Sequence, residues 1–488
     1  MRIARPPGGG IVSQVKGLPE GAEIYPRSVR EANGASLALV KLAGEKRLFL
    51  TRPLPGFPEL EEAGDGYLAP LNFPTAQALM RHLPELRPRG LPPGPSFGFG
   101  DRIGLATPGH VRALAGARAF PVLAQQSVRE NTRTGRDFQD VLASAIFGAF
   151  QEGYWGGFGA DADHLKSVEQ AVTAASLGYS MFTCDPSHLV RPVERLPEEE
   201  LLARFRSLPQ AEGLARTYIG KNIPIKGLGR IRFSQRDLAA VAVKYLPAVE
   251  FAADMFAALK EELPTGFDFE LSLDEADTPT SPMEHYFVVR ELQARGVELA
   301  SLAPRFGGVL EKAVDYRGSL EVFRRDLRAH IALAKILGGY RISLHSGSDK
   351  FSLYPVLARE GEGMWHVKTA GTSYLVALEV AARFAPGLFR EIVRLSCERF
   401  EEDRATYHLS TDLSRIPELD SLSDEELPQL LEQEDSRQVL HVAFGSVLTG
   451  RLGDELRRVL SQHEEEYAEA LARHLGRHLI ELGVKEDG

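Results

Sequence analysis

The chain is short of cysteine, with two thiols, Cys184 and Cys397, in 488 residues. Two cannot build a disulfide framework or a four-thiolate zinc site, so the fold rests on an apolar core, and reduced thiols are expected. Long apolar runs are missing too. None approaches the ~20 residues a membrane span requires. The opening stretch MRIARPPGGGIVSQ holds no apolar segment of the signal-peptide kind. A cytoplasmic protein without a membrane partner is the expectation. Positive charge is not in excess: the net charge is -10 and the pI is near 5.8. That excludes a sequence-general nucleic-acid binder, and means an acidic substrate would need a local group of Arg and Lys. No G-x-x-x-x-G-K-[ST] phosphate loop or H-E-x-x-H zinc helix occurs.

What is present is an ordinary globular composition, 43% hydrophobic and 25% charged. Residues 36–51, SLALVKLAGEKRLFLT, read as a hairpin, two β-rich runs around AGEK. The Pro- and Gly-rich stretch ELRPRGLPPGPSFGFGD then marks a boundary near residue 96. Beyond it, short apolar runs ending in polar clusters alternate with helical patterns. They fall at 97–107, 119–131, 156–164, 179–188, 267–275, 297–306, 340–350 and 364–372. Eight β runs alternating with helices predict an α/β fold, a (β/α)8 TIM-type barrel over 97–373. An open doubly wound sheet is the competing arrangement, but no G-x-G-x-x-G turn supports it. Residues 189–263 break the rhythm and read as a helical insertion. Residues 1–96 form an N-terminal extension with the hairpin, and 374–488 a mainly helical C-terminal region.

Active sites of such barrels lie at the C-terminal strand ends, and nearly every predicted end here is charged or amide-bearing. The run FGADADHLK carries Asp161, Asp163 and His164. Either the aspartates cap the helix that follows, or they belong to a site. In FELSLDE, alternation places Glu270, Ser272 and Asp274 on one face, as a lumen-facing carboxylate requires. In WHVK, His366 and Lys368 share a face. His345 precedes a Ser/Gly/Ser/Asp/Lys loop, where a site and a satisfied core histidine are both open readings. His188 and His285 read as structural, and His463, His474 and His478 as solvated on a charged helix. Histidines and carboxylates on separate strands suit an open site for a divalent cation.

Several stretches in this order resemble the tagaturonate epimerase family: FGFGDRIGLATPGHVRA, QQSVRENTRTGR, QEGYWGGFGADADHLK, FTCDPS, FELSLDE, ISLHSGSDKFSLYP, KTAGTSYL and YHLSTDLSRIP. The similarity runs from about residue 97 to 415 and more weakly to the C-terminus. It implies divalent-metal-dependent interconversion of D-tagaturonate and D-fructuronate, a C4 epimerisation. By this resemblance Asp163 and Glu270 are the acid/base pair on opposing sides of the sugar, and Asp161 is a loop or cap residue. His164 and His345 are metal ligands, with His366 and Glu311 as candidates to complete the set. The substrate carboxylate implies a cation, for which Arg129, Arg305, Lys312 and Lys350 are candidates. Gln126, Asp274 and Lys368 join them as substrate-binding candidates. Because C4–H is not α to the C2 ketone, retro-aldol cleavage of C3–C4 and re-addition is the favoured route, with direct deprotonation as the alternative. Asp163 and His164 are neighbours, and neighbours on a regular strand point apart; both can serve one site only if the chain turns there. Two other readings stay open: a metal-dependent aldose–ketose isomerase or aldolase on another sugar acid, and a non-catalytic sugar-binding protein. The partner is a small sugar acid, and a homo-oligomer is allowed.

Overall fold

The computed structural model describes residues 15–225, 229–407 and 409–487; the stretch read for a leader, residues 1–14, lies outside them. Eight parallel strands close into a barrel: Ser96–Phe99, Phe120–Ser127, Gly159–Leu165, Met181–Cys184, Asp268–Ser272, Ser301–Ala303, Arg341–Leu344 and Trp365–Thr369. Each pairs with the next in sequence, and the eighth returns to the first, with His366 opposite Ser96. The expected runs all contribute a strand, so the barrel stands and the open sheet does not. The second strand, FPVLAQQS, is buried at every position. A strand between a filled lumen and a helical layer faces no water on either side.

The N-terminal region is a six-stranded antiparallel sheet rather than a lone hairpin. Its central strands, Ala35–Leu42 and Glu45–Leu50, meet at Ala43 and Gly44, both at positive φ, the backbone a two-residue hairpin turn demands. Alternation divides the sheet's faces. Leu37, Leu39 and Leu48 join the main apolar core, which runs on through the barrel to Leu475 and Leu479. Val40, Phe49 and Leu68 form a small cluster on the other face.

The segment 189–263 is not all extra material. Its long helix, Gln235–Glu262, packs between the helices Val168–Leu177 and Pro282–Ala294, the place of the barrel's fourth outer helix. The additions are the helices Glu198–Arg206 and Ala211–Tyr218 and a small hairpin, Ile223–Ile225 with Gly229–Ile231. Among the described residues, no helix is long and apolar enough to cross a membrane.

The C-terminal region folds back on the barrel. Helix Glu464–Glu481 lies against helix Thr107–Ala113, and a Cβ on Gly109 would meet Leu471 Cβ at 2.6 Å. Leu471, Leu475 and Leu479 are fully buried at helical spacing; each contributes about 1.5–3 kcal/mol by burial. The expectation of solvated histidines on this helix fails for His474 and His478. His478 is buried: its Nε2 accepts the Asp349 N–H and its Nδ1 donates to the His474 carbonyl. Asp349 also bonds His474 Nε2 at 2.6 Å and Arg437 at 2.8 Å. This grouping is a latch between the loop after strand seven and the C-terminal helices, with both nitrogens of His478 already used.

Candidate active site

The third strand answers the local puzzle. Alternation sends Asp161 and Asp163 into the lumen, while Ala160 and Ala162 face outward. At His164 the backbone takes φ +55°, and the register with strand four steps from Ala162–Phe182 to Leu165–Cys184. Two residues, Asp163 and His164, therefore oppose the single Thr183. This is a β-bulge, and it re-aims a side chain. The His164 ring swings to the side of Asp163, its Nδ1 2.8 Å from Asp163 Oδ1. Ser167, not an aspartate, caps the following helix. Asp161 is fully buried and 2.7 Å from Lys368 Nζ, so its assignment as a loop or cap residue is corrected.

Lys368 is the hub of the lumen. Its ammonium lies 2.8 Å from Asp163 Oδ1, 2.9 Å from Glu270 Oε1 and 2.7 Å from Thr183 Oγ1, besides Asp161. Burial disfavours this charge, but the three carboxylates raise its pKa well above the usual lysine value. Burial raises Asp161 to about 6, opposed by Lys368 and aided by Asp163 and Glu270. Burial acts the same way on Asp163, yet His164 and Lys368 hold it well below the ordinary carboxylate range. Glu270 is held low against burial by Lys368 and His345. Asp163 and Glu270 thus share the ammonium of Lys368.

Above this floor two imidazoles face each other, their ring centres 4.9 Å apart. His345, at the end of strand seven, takes Glu270 Oε1 at 2.6 Å on its Nε2. Its Nδ1 is buried without a hydrogen-bond partner and points 3.2 Å from Asp274 Oδ1. His164 Nε2 stands 3.7 Å from the same oxygen. His164, Asp274 and His345 thus offer two nitrogens and a carboxylate oxygen within 4.8 Å of one another. Two histidines and one carboxylate are a donor set for a divalent transition metal. Each imidazole has its other nitrogen on a carboxylate, Asp163 or Glu270, as ligating histidines do. The orphaned Nδ1 and this backing make the set fit a divalent cation. Burial lowers the His345 pKa and Lys368 opposes its charge, but Asp274 and Glu270 together outweigh both and carry the group to about 9. His164 is raised well above its usual value by Asp163 and Asp274, against burial.

A cavity opens at these strand ends; it is lined by Asp163, His164, Asp274, His345 and Lys368. Arg129 and Lys312 line it as well. Other expected residues lie elsewhere. His366 sits lower in the lumen; it meets Ser96 Oγ at 2.9 Å, and burial depresses it to about 3. Glu270 is fully buried and does not line the cavity. Gln126 is in register with Ala162 and shares its outward side, whereas Gln125, paired with Asp161, reaches Asp163 Oδ2 at 3.0 Å. Glu311 binds Ser410 and Gln438 instead of joining the imidazoles. Lys350 is caged by the carbonyls of Glu311, Val314 and Ser348. Arg305 does not line the cavity. His285 is structural as read, bonded to His330 and Tyr340.

The sequence reading missed the contribution of the C-terminal region. Tyr407 and His441 line the cavity; Tyr407 opens the stretch YHLSTDLSRIP without being singled out there, and no motif includes His441. The one visible signal is Gly371, where a Cβ would lie 1.9 Å from His441 Nε2. Gly371→Ala is therefore expected to displace helix Glu434–Val442 at a cost of about 1–3 kcal/mol, the range for overpacking a buried contact. A thermal midpoint and a proteolysis time course check it; an unchanged midpoint would show that His441 yields freely.

Three comparisons agree. The family model for tagaturonate epimerase matches residues 25–482. The tagaturonate/fructuronate epimerase of Thermotoga maritima is 45% identical over 469 residues, which is 94% of this chain and 96% of that protein. Crystal structures of the fructuronate-tagaturonate epimerase of Cohnella laeviribosi, native and in complex with glycerol, both superpose with a TM-score of 0.91 at 38% identity. They cover 95–96% of this chain and 97% of theirs.

Proposed function

The chain belongs to the tagaturonate epimerase family, and from that premise we propose that it interconverts D-tagaturonate and D-fructuronate by inverting C4. The observation that carries this reading is the set of two carboxylate-backed imidazoles converging with Asp274 on the cavity. His164, Asp274 and His345 would hold a divalent cation, which when bound polarises the oxygens of a ketose.

The remaining roles belong to the chain's own side chains. Asp163 lines the cavity and is ionised at neutral pH, the form a base starts from, so it takes the proton of the C4 hydroxyl. The C3–C4 bond then breaks: its electron pair moves towards the C2 carbonyl oxygen and C4 becomes an aldehyde. After rotation the bond re-forms on the other aldehyde face, and the proton returns to the C4 oxygen. Lys368 keeps Asp163 ionised and fixed. Glu270 acts through His345 and is a positioning residue.

This route leaves hydrogen on C4 throughout. Turnover of D-tagaturonate in D2O, followed by NMR, is expected to give D-fructuronate without deuterium at C4. Stoichiometric deuterium there would replace bond cleavage by direct deprotonation. Deuterium at C1 without C4 inversion would make the protein an aldose–ketose isomerase.

A further inference from the structure

The same cavity carries a second group of side chains that the reaction at C4 does not use. Arg102, Arg129, Lys312 and His441 all line it, and their charges are not equally spent. Arg102 gives its Nε and Nη2 to Glu130 at 2.8 and 2.7 Å, so that pair is internally neutral. Arg129 has Glu275 at 3.5 Å, a loose contact, and its guanidinium lies 5.0 Å from the Tyr407 ring centre. Lys312 Nζ donates to Ser346 Oγ at 2.5 Å, and among the described residues no carboxylate lies within ion-pair distance of it. His441 is buried, and its Nδ1 has no hydrogen-bond partner.

The loop that presents Lys312 is held from several sides. Gln438 Nε2 donates to Glu311 Oε2 at 2.8 Å and to the Lys312 carbonyl at 3.2 Å. Arg437 Nε reaches the Ala313 carbonyl at 2.8 Å, and Lys350 Nζ the carbonyls of Glu311 and Val314. Ala313 and Ser346 are both at positive φ, a backbone conformation that costs about 1–3 kcal/mol and persists only where the surroundings impose it. An ammonium fixed this firmly, with no anion to answer it, is preorganised for one.

Resting on the epimerase reading, we infer that Lys312, assisted by Arg129 and His441, holds the C6 carboxylate of the keto-hexuronate and makes the site select a uronate over the neutral ketose. The charge balance favours a monoanion. Once Arg102 is set against Glu130, Lys312 is the unanswered cation and Arg129 a partly answered one, which suits a carboxylate better than a phosphate dianion. Burial, with Arg102 and Lys312 near, keeps His441 well below the usual histidine pKa, so its imidazole acts as a neutral hydrogen-bonding partner. Glu311 and Lys350 then serve this subsite as positioning residues, through the loop they brace. The selecting cations come from barrel loops, and the C-terminal region braces them through Arg437, Gln438 and His441.

The test uses the full chain with its divalent cation, and two probes: D-tagaturonate, and D-tagatose, which carries CH2OH in place of the carboxylate. Calorimetry on Lys312→Met is expected to weaken D-tagaturonate binding by about 10–100-fold, the worth of a hydrogen bond to a charged group. D-Tagatose affinity should move by less than about threefold. Lys312→Arg should recover part of the loss. In turnover the loss should appear mainly in KM, as removal of binding made equally in ground and transition states requires. If Lys312→Met binds D-tagaturonate as the wild type does, or weakens both sugars equally, the inference falls while the epimerase reading stands. If the wild type binds D-tagaturonate but does not invert C4, the reading falls instead.

Discussion

His345→Ala is expected to yield a folded protein that has lost its divalent cation and about 10³-fold of kcat/KM. The magnitude follows from several kcal/mol of charge stabilisation at the reacting oxygens. The fold should survive because Glu270, the partner left behind, keeps Lys368 at 2.9 Å and the hydroxyl of Ser301. His345 also stands at a strand end, with its unpartnered nitrogen towards the cavity. Metal content by elemental analysis gives a readout independent of turnover, and it should fall in parallel for His164→Ala. In the wild type, a chelator should abolish activity, and an added divalent ion should restore it. Full turnover by metal-depleted protein would remove the cation from the mechanism.

Asp163→Asn should cost kcat about 10²–10⁴-fold, the usual value of a positioned acid or base. The substitution keeps shape and most hydrogen bonds: Lys368 still has Asp161 and Glu270, and Gln125 can turn its amide. Glu270→Gln makes the informative contrast. Glu270 touches His345 and not the cavity, so its loss should appear first as metal affinity weakened about 10–100-fold, the range for a carboxylate behind a ligating imidazole. At saturating metal its kcat should recover further than that of Asp163→Asn. Equal kcat losses at saturating metal, with equal metal affinity, would put both carboxylates in the same role and restore a two-base scheme.

The contrast between these two residues shows where sequence reasoning reaches its limit. Alternation in FELSLDE correctly sends Glu270 into the lumen, and alternation in WHVK places His366 and Lys368 beside it. Alternation cannot say how high in the barrel each side chain stands. Height depends on the stagger between strands, which only closure establishes. So His366, level with Ser96, drops below the site, and Lys368, two residues on, becomes its hub. The bulge at His164 shows the same limit from the other side. That the chain must turn there follows from Asp163 and His164 being adjacent, but the direction of the turn comes from the positive φ and the register step against Thr183.

The sequence by itself determined the eight-strand rhythm, the lumen-facing positions, the motifs that carry the family resemblance and seven of the residues that meet in the cavity. These are properties of spacing, and spacing is local. Only the tertiary structure decided that Asp163 and Glu270 share Lys368, that Asp274 joins the imidazoles, and that Glu311 and Lys350 brace a loop. It also decided that Tyr407 and His441 arrive from beyond the barrel. The physical reason is the same in each case. Side chains separated by about 75 to 205 residues meet within 3 Å only because burying a continuous apolar core closes the barrel and folds the C-terminal helices over its mouth. That burial is summed over the whole chain, so no single stretch of sequence displays it.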